Sequence, residues 1–395
     1  FDLILNQVME ISINWANQMS SKRCAFAIME TSASHHLNSI CFELACRLLN
    51  IKLIFLDYSS FSNRIVPMLQ TDGYDDRVRL DIEINEWEFP NVFLDLEDAS
   101  WKRRISIGEK RNQRMSYSIF YLIFSTAINR FKRVLRKLVL SKNRSLVPFM
   151  PEDLSNYRLS TNIRVILQQG KALKYLRQLA GNCQNDILNT INDKMPFFVF
   201  MAHVQPEASS FPLAGHYANQ VQLVREVRQR FPNMPFIYRE HPHIFRRVIR
   251  KQPSKVGISR SIDYYRQLES LGCMFLYGPK SSFIDEITQS PQARVITLGG
   301  KIAIERGLEG RSTIVAGNPW YKGMPGTISL RSILVSGLEM FEWKCKAKEV
   351  REWISKVHSR RTMASPPWSV VSSKATSNDD YLRDMNALID ALYKI

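Results

Sequence analysis

The chain has 395 residues and a mass of 45.9 kDa, with 45% hydrophobic residues, 23% charged residues and a formal net charge of +17. That length supports two globular domains with separate cores, and no apolar run reaches the roughly 18 residues that a membrane span needs. Six cysteines (Cys24, Cys41, Cys46, Cys183, Cys273 and Cys345) are scattered without a Cys-x-x-Cys pair, which argues against a disulfide framework or zinc site and for reduced thiols in a cytosolic protein.

The chain opens without Met, as expected of a piece of a longer protein, and FDLILNQVMEISINWANQ lacks the basic start and small-residue cleavage site of a signal peptide. The pattern predicts a helix over residues 3–19 and a strand over 24–29. A loop with Ser32, Ser34, His35 and His36 follows, then a helix over 37–49 and a strand over 52–56 ending at Asp57. This is a βαβ unit, which implies parallel strands covered on both faces. Ser34, His35 and His36 lie beyond a strand end and are candidates for binding an acceptor. Another strand is expected over 91–96.

From 101 to 144 there are thirteen Lys or Arg residues and one acid, Glu109, so most of the excess charge sits in one segment. Within it Phe120, Ile123, Phe124, Ala127, Ile128, Phe131, Leu135 and Leu138 keep helical spacing, with Arg130, Lys132, Arg133, Arg136 and Lys137 filling much of the rest. Such a helix can lie in an anionic membrane interface, or it can pack on its own domain with a solvated basic face. A basic patch also suits a polyanionic glycan or a nucleic acid.

A helix is predicted over 162–179, and GNCQND at 181–186 reads as a hinge. The alternation then restarts, with a strand over 197–202, a helix over 218–230, a strand over 236–239 and a weaker region up to Met274. There follow a strand over 274–277, a turn with Ser281 and Ser282, a short helix to Gln289, a strand over 294–297, a Gly299-Gly300 turn and a strand over 313–316. An aromatic, Gly-rich loop occupies 317–326. The tail is helical over 340–355 and 379–393, around a Ser/Pro-rich connector, ASPPWSVVSSKATS. The expected class is α/β and GT-B-like: two Rossmann-type domains facing a central cleft, with C-terminal helices crossing back. The expected divisions are an acceptor-side domain over 1–185 carrying the basic insertion 101–144, a nucleotide-sugar domain over 186–375, and a helix over 376–395 packing back on the first domain.

Four strand ends in the second half carry reactive groups: HVQPEASSFPLAG with His203, Gln205 and Glu207; YREHPH with Arg239, Glu240, His241 and His243; GPKSS; and AGNPWYKG with Tyr321 and Lys322. In a doubly wound sheet ligands bind beyond the carboxyl ends of the strands, so all four can line one crevice. The Ser281-Ser282 pair at a helix start offers hydroxyls beside backbone N–H groups, where a phosphate is favoured, and Glu286 one turn on can reach sugar hydroxyls. Serine is also a common plain N-cap.

In that order, HVQPEAS, YREHP, GPKSSFIDEI and AGNPWYKG resemble the C-terminal half of bacterial capsular polysaccharide biosynthesis proteins, over about residues 195–325. That family includes retaining transferases of 3-deoxy-D-manno-octulosonic acid (Kdo) that use a CMP-activated donor. His241-Pro242 also resembles the CMP-binding His-Pro motif of bacterial sialyltransferases, Ser281-Ser282 their phosphate-holding pair and Glu286 their ribose-binding acid. Phe283 and Ile284 depart from the small, Gly-containing pattern usual there. The resemblance implies a CMP-ulosonic acid donor held by Arg239, His241, Pro242, Ser281, Ser282, Glu286, Tyr321 and Lys322. Glu207, His241 and His203 are the implied catalytic groups. Glu207 is the nucleophile of a retaining route or the general base of an inverting one.

Such a donor has no pyrophosphate for a metal to bridge; Asp75-Asp76 and Asp379-Asp380 lie in unsuitable surroundings, and neither a metal nor another cofactor is expected. The expected activity is transfer of an ulosonic acid to a surface polysaccharide or glycolipid, in the cytoplasm or on the inner face of a bacterial inner membrane. Alternatives are an inverting sialic-acid-type transferase, a sugar-nucleotide epimerase of the same fold, and a basic nucleic-acid-binding protein. Against the last, charge is confined to one segment and no nucleic-acid-binding module is recognisable.

Overall fold

A computed structural model of the protein describes residues 2–22, 24–30, 37–58, 64–70, 77–80, 159–193, 195–204, 213–242, 244, 260–277, 282–360, 363–364 and 378–392. The basic segment 101–144 and the strand expected over 91–96 lie outside these residues. The described part is a mixed α/β structure built on two sheets. Among the described residues no helix is long and apolar enough to cross a membrane.

The first sheet begins as the alternation predicts. Helix α1 (Asp2–Ser21) precedes β1 (Phe26–Glu30), and α2 (Leu37–Leu48) crosses over to β2 (Lys52–Tyr58), which lies parallel to β1 with Phe26 opposite Lys52. Helix α2 is closed by Asn50 at φ 54°, a left-handed position that Asn tolerates, and by an Ile51 N–H to Cys46 carbonyl bond of 2.8 Å.

The sheet then turns antiparallel. Strand β3 (Arg64–Gln70) pairs with β2, and its far edge takes β4 (Arg77–Arg79) and the late strand β11 (Met363–Ala364). Sequence patterning missed β3 because RIVPMLQ carries a central proline, which normally demotes a strand. Pro67 sits opposite Leu56, and its carbonyl accepts from Leu80 N–H at 3.1 Å. The C-terminal helix α10 (Asn378–Leu392) covers this sheet, with Leu388 and Leu392 buried against Ile54, Leu56, Ile65 and Leu80.

Helix α3 (Leu159–Asn192) corrects the expected hinge, because its 34 residues run unbroken through 181–186. Its buried positions Ala172, Leu176, Leu179 and Ile187, with half-buried Cys183 between, keep one apolar stripe against the second sheet across that stretch. Tertiary packing therefore overrides the weak helix propensity of Gly181, and residues 185 and 186 lie inside a helix. Gly and Asn are poor helix formers, not obligatory breakers.

The second sheet has six parallel strands: β5 (Phe197–Met201), β6 (Phe236–Arg239), β7 (Met274–Leu276), β8 (Ala293–Thr297), β9 (Thr313–Val315) and β10 (Thr327–Ser329). Their order is β10-β9-β8-β5-β6-β7. Strand β5 is central: the chain adds β6 and β7 on one side, then returns to add β8, β9 and β10 on the other. This is the doubly wound order, with its switch point between β5 and β8.

The strands are buried on both faces, as FFVFM in β5 predicts. On one face Phe198, Phe200, Tyr238 and Ile296 pack with α3, α4 (Gln220–Arg230), α5 (Ile262–Ser270) and α8 (Leu330–Ser336). On the other, Phe197, Val199, Ile237 and Val295 meet Ile284 and Ile287 of α6 (Ser282–Gln289). Helices α5, α8 and α7 (Ile302–Leu308) escaped the periodicity reading because each is under three turns and has few apolar positions to reveal a period.

A further core joins the two sheets. Trp320, Tyr321 and Met324 of the Gly-rich loop are buried with Ala303 and Ile304 of α7, Val350, Ile354 and Val357 of α9 (Ala347–Arg360), and Phe55, Val66 and Met68 of the first sheet. The loop that carries Tyr321 and Lys322 is thus a wedge between the halves.

Candidate functional site at the carboxyl ends of the second sheet

Because all six strands run parallel, His203 after β5, Glu240 and His241 after β6, and the Thr297-to-Gly300 turn after β8 lie along one edge. The rings of His203 and His241 are 6.5 Å apart, centre to centre. His203 stands at the switch point: its Nε2 is 2.8 Å from Oγ1 of Thr297, the last residue of β8, and accepts from the N–H of Leu298 just beyond it at 3.3 Å.

This geometry fixes the protonation of His203. Leu298 N–H points at Nε2, which therefore accepts, and Thr297 Oγ1, which itself accepts Gly300 N–H at 2.9 Å, can donate its own proton to the same nitrogen. With Nε2 accepting, the neutral ring carries its proton on Nδ1. Burial, and next the positive charge of Arg260, lower the pKa of His203 to about 4. His203 is therefore a neutral, Nδ1-protonated group at pH 7, and its Nε2 is already engaged. A role as a base through that atom does not fit.

The backbone of His203 is held as firmly as its ring. The carboxamide of Gln220, the first residue of α4, accepts its N–H and donates to its carbonyl, each at 2.9 Å. Gln220 thus replaces the strand neighbour that β5 lacks once it has ended. Gly300 is the residue type that the ring allows there: a Cβ would sit 2.8 Å from Thr297 Oγ1 and 3.3 Å from His203 Cε1 and Nε2.

Beside it lies a buried ion pair. Glu240 and Arg260 are both fully buried, with Arg260 Nε donating to Glu240 Oε2 at 2.6 Å and Nη2 to Oε1 at 3.2 Å. The hydroxyls of Tyr265 and Tyr238 donate to the same carboxylate at 2.9 and 3.0 Å, and His241 N–H donates to Oε1 at 2.7 Å. Arg260 Nη2 also donates to the carbonyl of His203 at 2.8 Å, and its guanidinium lies 4.5 Å from the ring centre of Tyr264. Burial alone would lower the Arg260 pKa, but Glu240 and the surrounding phenols hold it well above its ordinary value. Burial holds the Tyr238 and Tyr265 phenols protonated, so they remain donors.

The other sequence candidates separate into groups. Arg239 ends β6 and is half-buried, as are His241 and Pro242. Glu286 is exposed on α6 opposite Ile284 and Ile287, and Ser282 is the first residue of that helix. Lys322 is exposed. Tyr321 is buried, donating its hydroxyl to the Gly300 carbonyl at 2.8 Å. It therefore supports the turn beneath His203 from below. Ser34, His35, His36, Glu207 and Ser281 lie outside the described residues. Among the described residues no cluster of three or more His, Cys, Asp or Glu side chains is arranged for a metal ion.

Sequence reasoning missed Gln220, Thr297 and Arg260. Only Glu240 left a signal: an acid at the end of a strand that opens with the apolar run FIY requires a partner. Which of the chain's many basic residues supplies it is a tertiary matter. The fold and site define a doubly wound α/β protein with a polar, histidine-bearing strand edge. Comparisons with protein-family models, curated proteins and solved structures find no match to this chain.

Proposed function

We propose that the protein is a glycosyltransferase that moves an ulosonic acid from a CMP-activated donor to a surface polysaccharide or glycolipid acceptor. One observation carries the reading: His203 and His241 stand 6.5 Å apart beside the switch point of a six-stranded parallel sheet. Ligands of doubly wound sheets bind at that position. The resemblance of HVQPEAS, YREHP, GPKSSFIDEI and AGNPWYKG to capsular polysaccharide transferases supplies the donor class.

In this reading the first sheet faces the acceptor in a GT-B-like arrangement. His241-Pro242 and the start of α6 hold CMP, with Glu286 at the ribose. His203 serves through its position and its Nδ1 proton. Glu207, four residues beyond His203 in the chain, is the proposed catalytic carboxylate, and the basic segment 101–144 a proposed membrane contact. Nucleophilic attack by a carboxylate on the anomeric carbon expels CMP, whose phosphate takes the bonding electron pair; acceptor hydroxyl then displaces the carboxylate and loses its proton.

Calorimetry tests the donor. CMP should bind more tightly than UDP, and His241→Ala should weaken CMP. Equal affinities or a preference for UDP would refute the CMP assignment and favour the epimerase. For the chemistry, Glu207→Gln should keep donor affinity and lose turnover. If it retains more than about a tenth of the rate, a barrier change under roughly 1.4 kcal/mol, Glu207 is not the catalytic group.

A further inference from the structure

We infer that the buried Glu240–Arg260 pair is the positioning element of this site, tying the two histidine-bearing strand ends into one rigid unit. Glu240 accepts the backbone N–H of His241 at 2.7 Å, and Arg260 donates to the backbone carbonyl of His203 at 2.8 Å. Between those contacts the two side chains are joined at 2.6 and 3.2 Å. A continuous hydrogen-bonded path therefore runs from the turn after β6 to the turn after β5. It passes through a residue lying just ahead of α5, which Ser261 caps by accepting Tyr264 N–H at 3.1 Å.

Energetics favour a positioning role over a stabilising one. A fully buried ion pair loses the hydration of both charges, and apolar residues of similar volume are often as stable or more so. What an ion pair supplies and an apolar pair cannot is direction. The planar guanidinium meets a carboxylate and a carbonyl at fixed angles, and the carboxylate accepts five donors, two of them from Arg260. Lysine could keep the charge but not the fork. The inference deepens the proposed use of this edge as a donor site, yet its test does not require the donor to be known.

The test follows the imidazole signals of the full chain labelled with ¹⁵N-histidine, assigned with His203→Gln and His241→Gln. In Arg260→Lys both the His203 and His241 signals should move, while exposed His216, paired with Glu226 on the surface, should not. If Arg260→Lys fails to fold, Glu240→Gln combined with Arg260→Met, which leaves no buried charge unpaired, carries the same readout. Leu268→Ala is the control: it weakens the same core without touching the pair, and both rings should stay in place.

Unmoved His203 and His241 signals in a folded variant overturn the inference. So does an equal response to Leu268→Ala, which would make the effect one of general core softening. CMP affinity is read in parallel, with a loss of at least about tenfold expected in Arg260→Lys. If the unaltered protein does not bind CMP while both rings respond to Arg260→Lys, the donor reading fails and the positioning role stands.

Discussion

Replacing Trp320 by Ala tests whether the Gly-rich loop is a wedge between the sheets. Trp320 is 3% exposed, stacks on Trp353 of α9 at 6.3 Å with planes 28° apart, and meets Tyr321 edge-on at 5.7 Å. It shares its core with Phe55, Val66 and Met68 of the first sheet. Truncating a buried Trp costs about 3–5 kcal/mol, and loss of the aromatic pairs places this site toward the upper end. For a cooperative unit of about 150–250 residues each kcal/mol lowers Tm by roughly 2–4 °C, which gives a drop of about 6–20 °C. Scanning calorimetry should show the unaltered sheets melting together and Trp320→Ala separating their transitions. A Trp320→Ala protein that melts within about 2 °C of the parent would refute the wedge, since a cost below roughly 1 kcal/mol is that of a surface residue.

Tyr321→Phe removes the 2.8 Å bond to the Gly300 carbonyl and should cost about 1–2 kcal/mol by thermal melting. Its CMP affinity should stay within about threefold, and a larger loss would restore a direct donor contact for this hydroxyl. Gly181→Ala, in open space on unbroken α3, should stabilise by about 0.5–1 kcal/mol in urea melts, whereas destabilisation would point to a bend there.

His203 has its pKa lowered to about 4 in the folded state against 6.5 for the free group, so below pH 6.5 the unfolded chain binds the extra proton. Its contribution, about 3 kcal/mol, is complete above that pH and is lost as pH falls toward 4, so His203→Gln should flatten the acid limb of the stability profile. An unchanged slope would mean that another group sets it.

The sequence by itself determined the alternation of the second half. Strands β5, β6 and β8 are apolar runs buried on both faces, and each ends at a polar or glycine-rich turn that chain-local patterning can locate. It also determined that His203 and His241 each follow a strand, and parallel pairing brings such residues to one edge. Tertiary structure alone decided the strand order, because nothing local says that the chain returns past β5 after β7.

Packing likewise decided that α3 continues through Gly181, since a stripe reaching Ile187 outweighs a weak propensity. It also decided that Tyr321 is buried as a support of the Gly300 turn, because burial depends on what the other sheet presents. Arg260 is the clearest case. In sequence it is one of 54 basic residues, and only the fold places it between Glu240 and His203. A charge's role is set by the partner that desolvation forces it to find, and that partner lies 20 residues away along the chain.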